Sequence, residues 1–195
     1  GSPGGPGTNP LEPVYTNLFE ITFILPTILQ AQGRDPLLML QQATKISGLD
    51  LTKGIETTTQ RFKYSTRAYM LTPSETHLSD VGISFNVNVD DNGSMVTWNT
   101  LKAWYDLVWN SQNGYLHYKS DIIGTIIINQ HDKKGVVLRR ITLQNCQIKS
   151  IAGLDYDWSS PAIWQDVQAN FICDYWVDEY IDNGFTINPP LVSGY

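Results

Sequence analysis

The chain has 195 residues, 42% of them apolar and only 16% charged. That is enough for one ordinary domain with a real core, and it leaves Asn, Gln, Ser and Thr, or neighbouring subunits, to cover the surface. A formal net charge of −6, from 13 basic against 19 acidic residues, excludes the basic footprint of a sequence-independent nucleic-acid binder and argues against an anionic membrane surface.

Residues 1–13 are rich in Gly and Pro and nearly free of apolar side chains, so they read as a flexible tail. They carry neither the basic nor the apolar region of a secretory leader. No apolar run reaches the eighteen residues of a membrane-spanning helix. Residues 14–181 read as one β domain, and 182–195 as a C-terminal extension. Phe185, Ile187, Leu191 and Val192 in that extension must pack either on their own body or on a neighbouring subunit.

The body is mostly strand. Residues 14–25 are rich in Tyr, Phe, Ile and Thr and stop at Pro26. A short helix over 36–42 is a weak expectation. Residues 52–73 are β-prone without a clean apolar face, which predicts a long hairpin projecting from the body. Such a hairpin needs an outside partner to cover it. Its tip is Thr57, Thr58, Thr59, Gln60, Arg61, Phe62, Lys63 and Tyr64.

Ile83, Phe85, Val87 and Val89 alternate with Ser84, Asn86, Asn88 and Asp90, which predicts a strand with one core face and one polar face. A turn at Asp91-Asn92-Gly93 follows. A helix over 95–112 comes next, with Ser94 as its cap. Trp98, Leu101, Tyr105 and Val108 fall on one face of it, and Met95, Trp104 and Trp109 widen that face beyond the usual stripe of about 100°. The width predicts two contact surfaces: Trp98, Leu101 and Tyr105 in the core, Trp104 nearer a subunit interface. Asn113-Gly114 closes the segment.

Residues 122–130 and 136–144 predict a hairpin around the turn at 131–135. A last long strand alternates Val167, Ala169, Phe171, Cys173 and Tyr175 with Gln168, Asn170 and Asp174. Cys146 and Cys173 sit in apolar-alternating runs and read as small buried hydrophobes. Two cysteines without a histidine at ligand spacing make no zinc site.

Catalytic sets do not emerge. His77, His117 and His131 are unpaired in sequence and no phosphate loop opens a helix. Asp90-Asp91-Asn92-Gly93 fails as a calcium loop because Leu101 stands at the twelfth position. Asp155 and Asp157 are the one candidate carboxylate pair, weighed against a solvated acidic face. Asn92-Gly93-Ser94 matches a glycosylation sequon but reads as a plain turn. The expectation is a non-enzyme with no cofactor and no metal.

The ordered pieces resemble the tail tube proteins of contractile-tailed bacteriophages, relatives of the tube subunits of type VI secretion and other injection machines. The resemblance is carried by Asn17-Leu18-Phe19-Glu20-Ile21, by Ala43-Thr44-Lys45-Ile46-Ser47-Gly48-Leu49, by the strand 83–90 with its tryptophan helix, and by Asp155-Tyr156-Asp157-Trp158-Ser159-Ser160. Phe171-Ile172-Cys173-Asp174-Tyr175-Trp176 completes it. It spans about residues 14–176.

The resemblance implies a mainly β fold, an antiparallel sandwich or barrel with one flanking helix and a projecting hairpin. It implies six copies to a ring and rings stacked into a hollow tube that conducts DNA, with the hairpin reaching the next ring. Its implied partners are itself, sheath, baseplate and terminator proteins, in a virion assembled in the host cytoplasm, with no membrane partner. Ser84, Asn86, Asn88, Gln168 and Asn170 then suit a wet lumen wall, and a negative chain suits a conduit that must not grip DNA. Competing readings are an injection-system tube subunit, a carbohydrate-binding β-sandwich with exposed tryptophans, and an enzyme using Asp155 and Asp157.

Overall fold

The computed structural model describes residues 16–34, 43–51, 54–74, 77–152, 158–159, 167–182 and 185–187. Strand β1 (Phe19–Ile24) is followed by a one-turn helix α1 (Thr27–Ala31), β2 (Ala43–Ser47), β3 (Gly54–Phe62), β4 (Ser65–Ser74) and β5 (Leu78–Phe85). Then come helix α2 (Val96–Val108), a short helix α3 (Lys119–Ile122), β6 (Gly124–His131), β7 (Val137–Ile151), β8 (Val167–Asp182) and β9 (Phe185–Ile187). The tail 1–13, the helix expected over 36–42 and the Asp155–Asp157 pair lie outside the described residues.

Seven strands form a single antiparallel sheet in the order β1-β6-β7-β8-β5-β2, with β9 added to the end of β8. The sheet curls nearly into a barrel, so the fold is mainly β with α2 on its flank. β7 and β8 form its spine. The first half of β8 pairs with β5 and its end with β9, while residues 169–180 run along β7. Curvature is introduced by bulges, including one between Ile148 and Ser150 and one at Asn145, whose φ of +52° an Asn tolerates.

Alternation sets the inside. Ile83, Phe85, Val167, Ala169, Phe171 and Cys173 are all buried, and the residues between them face out. Phe23, Phe85, Phe171 and Trp104 form an aromatic centre with ring centroids 5.2–6.4 Å apart.

Two turns share one mechanism. Asp90 Oδ1 accepts from the backbone N–H groups of Asn92 and Ser94, at 3.0 and 2.7 Å. Asp132 Oδ1 accepts likewise from Lys134 and Val136, at 2.8 and 2.9 Å. Gly93 and Gly135 then take the left-handed conformation, at φ +77° and +82°.

Two expectations are corrected. β5 stops at Phe85, paired there with Ala43 and Val167, and residues 86–90 form no strand although Val87 stays buried. Helix α2 is 96–108 rather than 95–112, and Ser94 does not cap it. The amide of Ser94 is instead held by Asp90, and Trp109 leaves the helix in extended backbone.

Candidate assembly surfaces

Among the described residues the hairpin β3–β4 is separate from the main sheet and pairs only with itself, Thr57 opposite Met70 through Phe62 opposite Ser65. Lys63 and Tyr64 make its two-residue turn. Every residue from Thr57 to Met70 is exposed, including Tyr64 at 89% and Met70 at 77%. Arg67 lies over the Phe62 ring and Lys63 over that of Tyr64, at 5.6 and 5.4 Å. The hairpin carries three basic residues against one acidic, net +2, and leaves the remainder of the chain at −8, from 10 basic against 18 acidic. An isolated two-stranded ribbon with aromatic side chains in water is poorly supported on its own. The predicted tip residues are therefore gathered on one exposed element.

Just after β2, Gly48 sits at φ +75°, and its missing side chain leaves room for the carbonyl oxygen of Asp80. This explains physically the Gly within the Ala43–Leu49 motif.

On the outward face of the sheet, Ser84 and Gln168 are register partners and Gly82 is paired with Asn170. Gln168 Nε2 donates to Asn170 Oδ1 at 2.9 Å, and Asn170 Nδ2 donates to Ser150 Oγ at 3.2 Å. Ser47 Oγ donates to the Gly82 carbonyl at 3.4 Å. A row of neutral polar side chains thus crosses β2, β5, β8 and β7. A Cβ at Gly82 would come within about 3.1 Å of Ser47 Oγ and Asn170 Oδ1. Three of the five residues expected on one polar face are therefore together. Asn86 and Asn88 lie just beyond the strand, the first half-buried and the second exposed.

The helix face is rotated from the expected one. Its buried residues are Thr97, Thr100, Leu101, Trp104 and Leu107, while Trp98 and Tyr105 are half-buried. Trp104, expected nearer an interface, is the largest fully buried side chain, and its indole N–H donates to the Ile122 carbonyl at 2.8 Å. Leu101 is in the core as expected. Counting only apolar residues hid the two threonines, whose small side chains let the helix lie close.

Two further surfaces escaped sequence reasoning. Residues 109–118 contain no charge and expose Trp109, Tyr115, Leu116 and Tyr118. The mixed aromatic and polar composition shows no period that would single them out. Between β1 and β2 lies a cavity of about 540 Å³, lined among others by Phe19, Ile46, Leu51 and Ile141. Arg139 closes one side, its guanidinium bidentate on Asp178 at 2.8 and 2.6 Å. That hydrogen-bonded carboxylate raises the pKa of Arg139.

Among the described residues no group of three His, Cys, Asp or Glu side chains converges to hold a metal. No described helix is long and apolar enough to cross a membrane.

Solved structures place this architecture. The tube-terminating cap of the anti-feeding prophage superimposes over 88% of this chain and 93% of its own, at 17% identity and a TM-score of 0.56. The chain shares the fold of contractile-injection tube and cap proteins. A chain of the extended sheath–tube complex of the extracellular PVC injection system matches over 87% and 93%, at 13% identity and a TM-score of 0.50. A chain of the anti-feeding prophage baseplate matches over 86% and 96%, at 12% and 0.50. No protein-family model matches the sequence, and no curated protein matches it.

Proposed function

We propose that the chain is a structural, non-enzymatic subunit of a phage tail inner tube, assembling as hexameric rings that stack into a conduit for DNA. The exposed hairpin carries this reading: it is an ordered ribbon with no partner strand besides its own among the described residues, sited where a neighbouring copy can cover it. Its charge is opposite to that of the rest of the chain, which favours docking on a second copy.

Two features add support. Among the described residues the sheet ends at β1 and β2, and edges of neighbouring copies can pair to close a ring. Ser84, Gln168 and Asn170 are neutral and hydrogen-bonding, with Lys45 beside Ser84 on the edge strand as the charge in register with them, so a channel lined by this row is wetted with few groups to hold phosphate. Asn86 and Asn88 continue that wall at its rim. Sheath, baseplate and terminator proteins are the expected partners, and the virion the expected location. The shared fold with parts of the anti-feeding prophage and PVC machines supports a second reading, a tube or cap subunit of a contractile injection system.

The test is sedimentation velocity with negative-stain microscopy of the purified chain, beside a variant lacking residues 58–69, which shortens both strands of the hairpin in register. The wild type should form rings and short tubes. The variant should keep its circular dichroism spectrum and stop at single rings. A wild-type monomer at all concentrations contradicts the assembly itself, and long tubes from the variant contradict the role of the hairpin.

A further inference from the structure

The two cysteines of the chain, the only ones in its sequence, occupy directly opposed positions on β7 and β8. Both side chains are fully buried, and their sulfurs stand 2.8 Å apart. The Cys146 thiol also lies 3.3 Å from the Leu143 carbonyl, its acceptor. Opposed residues of an antiparallel pair have Cα atoms about 4.5–5.5 Å apart, inside the range of about 4.4–6.8 Å that a disulfide spans. Nothing need move far for the two sulfurs to bond.

We propose that Cys146 and Cys173 are an intrachain disulfide site that a small-molecule disulfide oxidises, tying together the two spine strands of the sheet. The inference is independent of the tube reading.

The chemistry is two successive exchanges. One cysteine thiolate attacks a sulfur of the small disulfide, forming a mixed disulfide and releasing one small thiolate, which takes up a proton. The second cysteine, deprotonated, attacks the protein-side sulfur, forming the Cys146–Cys173 bond and releasing the second small thiol. The protein dithiol loses two electrons and two protons, and one small disulfide is reduced to two thiols.

Burial controls when this happens. The hydrogen bond with Cys173 and the apolar surroundings push the Cys146 thiol well above its ordinary range. Cys146 therefore holds almost no thiolate in the folded chain, and burial of both sulfurs keeps an oxidant out. Exchange runs while the chain is folding or transiently open, so the covalent state records the redox conditions under which the strands came together.

The test is refolding of the full chain from urea in oxidised glutathione or in dithiothreitol. Alkylation with iodoacetamide in denaturant and intact-mass measurement follow. The oxidised sample should take up no adduct, weigh two hydrogens less than the unalkylated reduced chain, and run as a monomer without reductant. The reduced sample should take up one adduct per cysteine. The oxidised chain should melt about 5–10 °C higher, and the doubly substituted Cys146→Ser, Cys173→Ser chain should melt alike in both conditions. Full alkylation after oxidative refolding overturns the proposal. So do glutathione adducts that persist on both cysteines, or disulfide-linked dimers in place of the intrachain bond.

Discussion

Gly124 lies directly beneath the indole of Trp104. A Cβ at position 124 would sit 2.9 Å from Cζ2 and Cη2 of that ring and 2.7 Å from the carbonyl oxygen of Ile24. One glycine at the start of β6 thus admits the helix to the sheet, and the next residues back supply the acceptor for the indole N–H at Ile122. Gly124→Ala should cost about 1–3 kcal/mol through overpacking, and Trp104→Ala about 3–5 kcal/mol through the cavity left behind. Urea unfolding measures both as a lower midpoint at unchanged slope. Loss of assembly from Trp104→Ala without loss of stability would return that residue to an interface.

Thr100 is fully buried, and its hydroxyl has no hydrogen-bond partner. Thr100→Val keeps the shape and removes an unsatisfied polar group. The variant should unfold at higher urea, a gain of about 1 kcal/mol. A drop in midpoint would mean that the hydroxyl is satisfied after all.

Gly48→Ala meets two obstacles: a left-handed φ and contact with the carbonyl oxygen of Asp80. The expected loss is about 1–3 kcal/mol. Because Gly48 lies six residues before the hairpin in sequence, limited proteolysis of the variant should cut within residues 54–74 sooner than in the wild type. Unchanged cleavage there would separate the turn from the hairpin.

Much of the fold was legible. Period-two alternation located β5 and β8, β-rich runs located β6 and the first half of β7, and the Asp-to-Gly turns located two connections, because burial on one face and left-handed backbone both leave marks on residue choice. The hairpin was legible by contrast, as strand-formers without a buried face. The helix orientation was not, because Thr97 and Thr100 are buried yet polar, so an apolar count points at Trp98 and Tyr105. The end of β5 was not legible either: Asn86 and Asn88 continue the alternation in sequence although the strand stops at Phe85. The Cys146–Cys173 pairing needs the register of β7 on β8, which no local pattern carries.

The neutral polar row predicts weak contact with DNA. Wild-type assemblies should not retain a fluorescent single-stranded oligonucleotide at 100 mM salt, an ionic strength at which the Debye length is about 10 Å. Ser84→Lys with Gln168→Lys should retain it, and the retention should fall steeply as salt rises, the mark of counterion release. Equal, salt-insensitive retention by both proteins would contradict a passive wall.

The most direct measurement is a cryo-electron reconstruction of the self-assembled chain. It should show stacked rings with the hairpin of one ring seated on the next, and Ser84, Gln168 and Asn170 facing a central channel. A closed assembly with those three side chains on its outer surface, or with the hairpin free in solvent, would contradict the account.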